Sequence, residues 1–258
     1  MRIAVISDIH ANLTALRRVL DDIASVDVDE IWCLGDIVGI GPRPAECVAL
    51  IRERCTLTLA GNHDLVCTGP TPQLTGPFGA PLQLARYTLP AEDFRWLASL
   101  SPIAKRHGIV CAHGSPRRPA DEFTTRDVAR VLLRDPAAPQ LSVVGHTHQP
   151  EVFRARVNRD KVIVKNFEPR HGERIRLADY RAIVNPGAVG RPQGDHDPTA
   201  AWALLDLHAR RAHFRRLEYP VEYETGLMHR TGLGGPYADA LYGPPPRLDL
   251  RRAAPACP

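Results

Sequence analysis

Asp8 and His10 follow the run IAVIS, Asp36 follows IWCLG, Asn62 and His63 follow TLTLAG, His113 follows GIVCA, and His146 and His148 follow SVVG. Each run has the composition of a buried strand, and each ends in a carboxylate, amide or imidazole that wants a metal, a proton or water. In open α/β sheets ligands bind beyond the carboxyl ends of the strands, so these side chains are expected to converge on one edge. Asp8 with His10, and His146 with His148, are two residues apart. In extended backbone such pairs point the same way and can reach a common point. Asn62 and His63 are adjacent, diverge, and should do different jobs. Gly35, Gly61 and Gly145 precede these positions, where the chain must turn sharply or be closely approached.

Asp8, Asp36 and Asn62 offer oxygen; His10, His113, His146 and His148 offer nitrogen; no thiolate takes part. That mixture suits Mn, Fe, Zn or Co and is too rich in nitrogen for calcium. The set exceeds what one tetrahedral zinc needs. It suits two metals sharing a carboxylate, the arrangement that clamps attacking and leaving oxygens in a displacement at phosphorus.

The elements that position these groups alternate. IAVIS precedes the helical pattern LTALRRVLDDIAS, IWCLG precedes PAECVALIRER, and TLTLAG, GIVCAHG and LSVVGHTH follow. Alternation of apolar strands with helices up to about residue 150 predicts a largely parallel sheet with both faces covered. Between Leu65 and Ser101 the pattern breaks into TGPTPQLTGPFG and the helical candidates PLQLARY and PAEDFRWLASL, an excursion expected at the rim of the sheet. After 150, KVIVKNF, ERIRLADY, RAIVNPG and AAWALLDLHARRAHFRRLEY read as short strands of a second, mostly antiparallel sheet. The last stretch, GLGGPYADALYGPPPRLDLRRAAPACP, is punctuated by Gly and Pro and reads as an extended arm.

At 258 residues the chain can bury a sizeable core. No run approaches a membrane span, and the N-terminus reads as a strand, so a soluble cytoplasmic protein is expected. Its six cysteines show neither CxxC spacing nor disulfide-scaffold density and read as reduced structural thiols. The net charge of +4 and pI near 8.8 are only mildly basic. The most basic cluster, HARRAHFRR, is explained by a hairpin with a solvated arginine face.

The blocks SDIH, GDIVGIGP, GNHD, AHGSP and GHTH, in this order from residue 7 to 148, resemble those of the calcineurin-like metallophosphoesterases. IVNPGAVGRP at 183–192 resembles the small bacterial and archaeal phosphodiesterase branch. The resemblance implies an α/β four-layer αββα sandwich, with two mixed sheets face to face and helices outside. It covers residues 1–228 as the phosphoesterase domain and leaves 229–258 as a Gly/Pro-rich C-terminal arm. Carried over position by position, it gives Asp8, His10, Asp36 and His148 to one metal. Asp36, Asn62, His113 and His146 go to the other, with Asp36 as the bridge. Two divalent transition metals are implied, Mn²⁺ first, with Fe, Zn, Co or Ni as alternatives. The implied mechanism has a hydroxide bridging the metals attack phosphorus in line while His63 donates a proton to the departing oxygen. Asp64 either orients His63 and keeps it protonated or caps the loop.

Departures from relatives narrow the substrate. Serine/threonine phosphatases of this superfamily follow the GD block with Asp-Arg-Gly, whereas this chain reads GDIVGIGPRP, so the phosphate-gripping arginine is missing from its usual place. Arg43, Arg191 and Asn12 remain as candidate substrate contacts, although Asn12 before LTALRRVL also fits a helix cap. The leading expectation is a phosphodiesterase acting on a small-molecule phosphate ester, with no membrane and no polymeric nucleic acid as partner. A dinucleoside polyphosphate hydrolase or protein phosphatase is the alternative. A non-catalytic scaffold is disfavoured because His63 and all the ligand positions are present.

Overall fold

A computed structural model describes residues 1–69, 79–158, 161–191, 198–235 and 238. The chain opens with strand β1 (Arg2–Ile6). Ile3 and Val5 enter one apolar layer, and Ala4 and Ile6 the layer on the opposite face, the period of two of a strand covered on both sides. Asn12 ends the following loop. Its Oδ1 accepts from Ala15 N at 3.0 Å and starts helix α1 (Leu13–Ala24). Leu13, Leu16, Val19, Leu20 and Ile23 then recur at helical spacing and bury one stripe.

Strand β2 (Glu30–Cys33), helix α2 (Pro44–Arg54) and strand β3 (Leu57–Thr58) repeat the alternation, with Pro44 opening α2 where its missing N–H costs nothing. Helices α3 (Asn62–Thr68), α4 (Gly79–Thr88) and α5 (Ala91–Ala98) follow. Leu82, Ala85, Leu89 and Leu97 bury in the same core as α1 and α2. The segment expected as a rim excursion is therefore part of the helical layer; its residues 70–78 lie outside the described residues. The chain continues through β4 (Ile103–Arg106), β5 (Ile109–Ala112), α6 (Arg126–Arg134), β6 (Leu141–Val144), β7 (Pro150–Asn158), β8 (Lys161–Phe167), β9 (Arg174–Arg176), β10 (Arg181–Pro186), β11 (Ala200–Asp206), β12 (Arg211–Leu217) and α7 (Val221–Arg230).

Among the described residues the strands make two six-stranded sheets, ordered β3-β2-β1-β11-β12-β9 and β4-β5-β6-β10-β7-β8. Ile3, Val5, Trp32, Leu205 and Phe214 of the first sheet meet Cys111, Val143, Val152 and Val184 of the second in the central layer. Helices α1, α2, α4, α5 and α7 cover the outer face of the first sheet, and Ala129 and Leu133 of α6 cover Val144, Phe153 and Ile183 of the second. These are the four layers of the expected αββα sandwich.

The division of strands differs from the expectation. Strand β1 pairs with β2 in parallel and with β11 antiparallel, and β6 lies parallel to β5 and β10. The change of texture at 150 is thus no sheet boundary: β9, β11 and β12 complete the first sheet, and β7, β8 and β10 the second. A run of apolar residues reports that a strand is buried, and carries no label for its partner. The basic HARRAHFRR segment does form a hairpin with β11. Ala212 and Phe214 face inward, and Arg215 reaches Asp22 on α1 at 2.7 Å.

Cys33, Cys47, Cys55, Cys67 and Cys111 are free thiols, and Cys257 lies outside the described residues. No helix among the described residues is long and apolar enough to cross a membrane. Helix α7 continues past residue 228 to Arg230, and Leu233 is buried. Most of the Gly/Pro-rich arm beyond it lies outside the described residues.

Candidate metal centre

The ends of β1, β2, β5 and β6 and the start of α3 meet at one edge of the sandwich. Ligand atoms of Asp8, His10, Asp36 and His148 lie within 4.8 Å of one another, as do those of Asp36, His113 and His146. Asn62 joins the second group, its Oδ1 3.1 Å from His113 Nε2. All seven candidate ligands are brought together, and Asp36 belongs to both groups.

The backbone achieves this by a route other than the extended pairs expected. Asp8, His10, Asp36, His146 and His148 all have positive φ, between 49° and 67°. Each loop coils back in the left-handed region immediately after its strand, which costs energy for residues with a Cβ and persists only where surroundings enforce it. Here the enforcement is visible. Asp8 N donates to Gly35 O at 3.0 Å, His10 N to Asp36 O at 2.8 Å, and His146 N to Asp8 Oδ2 at 3.1 Å. His63 N donates to Asp36 Oδ1 at 2.8 Å. Gly61 approaches so closely that an added Cβ would collide with the Asp36 carboxylate, and one on Gly35 would lie 2.7 Å from the carbonyl carbon of Ala60.

The donor set fits divalent metal. His113 Nδ1 lies 2.9 Å from Leu34 O and donates to it, so Nε2, turned toward Asn62 and Asp36, is the nitrogen a metal would take. By the same reasoning His146 Nε2, 3.2 Å from Asp121 O, leaves Nδ1 for a ligand. His10 Nε2 and His148 Nε2 face each other at 3.1 Å, and buried Asp8 Oδ1 has no hydrogen-bond partner among the described residues. A buried carboxylate oxygen and two imidazole nitrogens turned toward one another form a donor set that is favourable around a cation.

Electrostatics divide the set: Asp36, His10, His146 and His148 are held in the form that binds metal, whereas Asp8 and His113 would give up a proton to a cation. Burial raises Asp8, with the charge of Asp36 adding to it. Burial works against the charge of Asp36 as well, but His113, His63 and His10 outweigh it and hold that carboxylate ionised. Burial opposes the imidazolium of His113, yet Asp36, Asp8 and Asp64 lift it to about 9. His10, His146 and His148 are lowered, chiefly by burial, and so favour the neutral form that binds metal.

His63 stands beside this cluster, its ring 4.9 Å from that of His10 in an edge-on arrangement. Burial lowers its pKa, and Asp36 opposes the shift. Gly39, at φ +84°, leaves room for the imidazole: a Cβ there would lie 3.2 Å from His63 Cγ. The Asp64 carboxylate is occupied elsewhere. It accepts from Ile37 N at 2.9 Å, Val38 N at 3.0 Å and Gly61 N at 2.9 Å, binding the loop after Asp36 to the start of α3.

The candidate substrate contacts separate. Asn12 caps α1 and donates to Gly190 O and Tyr219 Oη, both at 3.1 Å. Arg43 pairs with buried Glu224 of α7 at 2.5 Å and also donates to Thr14. Arg191 remains at the site, where its charge, after burial, helps lower His148 and adds to the lowering of His10 and His63. Sequence reading missed Asn185, whose Nδ2 donates to Gly145 O at 2.8 Å and so holds the loop of His146 and His148. It also missed Val189 and Gly190, whose N–H groups bind Ser7 O and Asp8 O, each at 2.9 Å. The IVNPGAVGRP block contained all three, but its role as a brace is not written in residue type.

Comparison with known proteins follows the same lines. Residues 1–210 match the model of the calcineurin-like phosphoesterase superfamily domain. The crystal structure of a metallophosphoesterase from Sphaerobacter thermophilus superposes with a TM-score of 0.80 at 38% identity, covering 93% of this chain and 98% of that one. An uncharacterized protein of Methanocaldococcus jannaschii is 33% identical over 237 residues, 88% of this chain and 93% of its own length. The symmetrical bis(5'-nucleosyl)-tetraphosphatase of Aliivibrio salmonicida is 24% identical over 176 residues, 63% of this chain and 64% of its own. With the motif blocks in order, the sandwich in place and the Asp and His side chains gathered at one edge, this chain belongs to the calcineurin-like phosphoesterase superfamily.

Proposed function

We propose that the protein is a binuclear metal-dependent phosphodiesterase acting on small-molecule phosphate esters in the cytoplasm, with Mn²⁺ as the preferred metal. The observation that carries this reading is the membership of Asp36 in both ligand groups. Asp8, His10, Asp36 and His148 would hold one ion, and Asp36, Asn62, His113 and His146 the other. Bound there, the two ions supply Lewis acidity toward the phosphoryl oxygens and lower the pKa of water. His63, edge-on to His10 and outside both ligand groups, donates a proton to the departing ester oxygen. Asp64 keeps the Asp36 loop and the His63 helix in register through its three backbone donors.

Preference for diesters is supported by what surrounds the site. A dianionic monoester gains most from a bidentate arginine, and none follows the GD block; Arg43, farther along, is engaged by Glu224. Arg191 supplies positive charge near His148. Metal-reconstituted assays on nitrophenyl diesters and monoesters, dinucleoside polyphosphates and phosphopeptides test the reading, alongside metal analysis. Diesters should be turned over fastest with two metals per chain, and Asp36→Ala should lose both. A phosphopeptide hydrolysed faster than every diester, or undiminished activity in Asp36→Ala, would reject it.

A further inference from the structure

A half-exposed aromatic ring stands beside the metal centre without a packing reason to be there. Phe123 is 50% exposed and, among the described residues, joins no buried apolar cluster. Its ring lies against the imidazole of His146, with centroids 4.4 Å apart and planes inclined by 34°. Leaving a phenyl ring half in water forgoes hydrophobic stabilisation that a polar residue in the same loop would not need.

The loop that carries Phe123 is firmly held. Before it, the Glu122 carboxylate takes a hydrogen bond from Ser115 and pairs with Arg117, and Glu122 N reaches Arg118 O at 3.3 Å. After it, buried Thr124 bonds to Gly114 O, and Thr125 caps α6. Asp121 O, two residues upstream, is the partner of His146 Nε2. The ring is thus presented, half exposed, on a preorganised loop beside a candidate metal ligand.

We infer that Phe123 is a stacking platform for a flat aromatic group of the substrate, which makes phosphate esters of nucleosides the class this site selects. The inference rests on the phosphoesterase reading for the position of the phosphate. A planar base brings a π-face to a half-wet phenyl ring and displaces its water without demanding any hydrogen bond.

Calorimetric titration of the Mn²⁺-loaded protein with adenosine 5′-monophosphate and with ribose 5-phosphate tests it, because the two share phosphate and sugar and differ in the base alone. The nucleotide should bind roughly 5- to 150-fold more tightly, the worth of one stacked base. In Phe123→Ala the two affinities should converge on that of ribose 5-phosphate with metal content unchanged, and Phe123→Trp should restore the preference. Equal affinities in the unmodified protein, or a preference that survives in Phe123→Ala, would overturn the inference. So would loss of metal or of both affinities together in Phe123→Ala, which would make the ring a prop for His146. If the same preparation hydrolyses no phosphodiester, the parent reading fails while the base-dependent ratio is still measured.

Discussion

His63 shares its edge of the sandwich with four other histidines, and what separates its role from theirs is geometric. His10, His113, His146 and His148 each belong to a ligand group, whereas His63 contributes its backbone N–H to Asp36 and lays its ring across His10 and against Gly39. As a proton donor it should be dispensable for metal binding. His63→Ala should keep both metals and lose roughly 10²- to 10⁴-fold in rate with alkoxide leaving groups, and far less with nitrophenolate, which departs without a proton. Kinetics over a leaving-group series with metal analysis on the same samples checks this; an equal loss for every leaving group would remove His63 from the role. At this scale the sequence was informative because the ligand residues stand directly after recognisable strands. The left-handed backbone at Asp8, His10, Asp36, His146 and His148 was illegible, since it is imposed by bonds such as His10 N to Asp36 O between loops far apart in the chain.

Among the elements, β2 illustrates how the two sheets are joined away from the metals. Glu30 at its start accepts from Trp32 Nε1 at 2.8 Å and Thr56 Oγ1 at 3.0 Å, and it pairs with Arg106 at 2.8 Å and His107 at 2.7 Å on the β4–β5 hairpin of the other sheet. Burial opposes ionisation, but the bonds from Trp32, His107, Arg106 and Thr56 outweigh it and hold the carboxyl at about 2, below its ordinary 4.5. A carboxyl depressed on folding stabilises fully above its unfolded pKa and ceases to do so as pH falls through the folded one. Glu30→Gln should therefore cost about 1 kcal/mol near neutral pH, discounted for the partly solvated setting. The difference should shrink between about pH 4.5 and pH 2. Denaturant melts of both proteins across that range check the sign; a gap that widens on acidification would contradict it. Strands such as β1, β2 and β6 were readable from their apolar runs. Their neighbours were not, because β1 is covered by β11 from beyond residue 200 and the pattern of either strand is satisfied by any buried partner.

For the whole molecule, the order of strands across the first sheet sets when the metal centre can exist. All seven candidate ligands are encoded between residues 8 and 148, yet β1 lacks one neighbour until β11 is present, and the Asp8 loop lacks its brace until Val189 and Gly190 arrive. On a ribosome the ligands emerge well before the strands that hold them. The half-made chain therefore carries metal-binding side chains before their site is braced, and should hold metal more weakly than the finished protein. Tight capture of the ions waits until β10 has entered between β6 and β7 and β11 lies beside β1. A fragment ending at residue 180, which keeps every ligand, should bind Mn²⁺ at least about tenfold more weakly than the full chain, since a site that is not preformed must spend binding energy on folding. Adding residues 181–258 in trans should recover part of that affinity by restoring β10, β11 and β12 to their places.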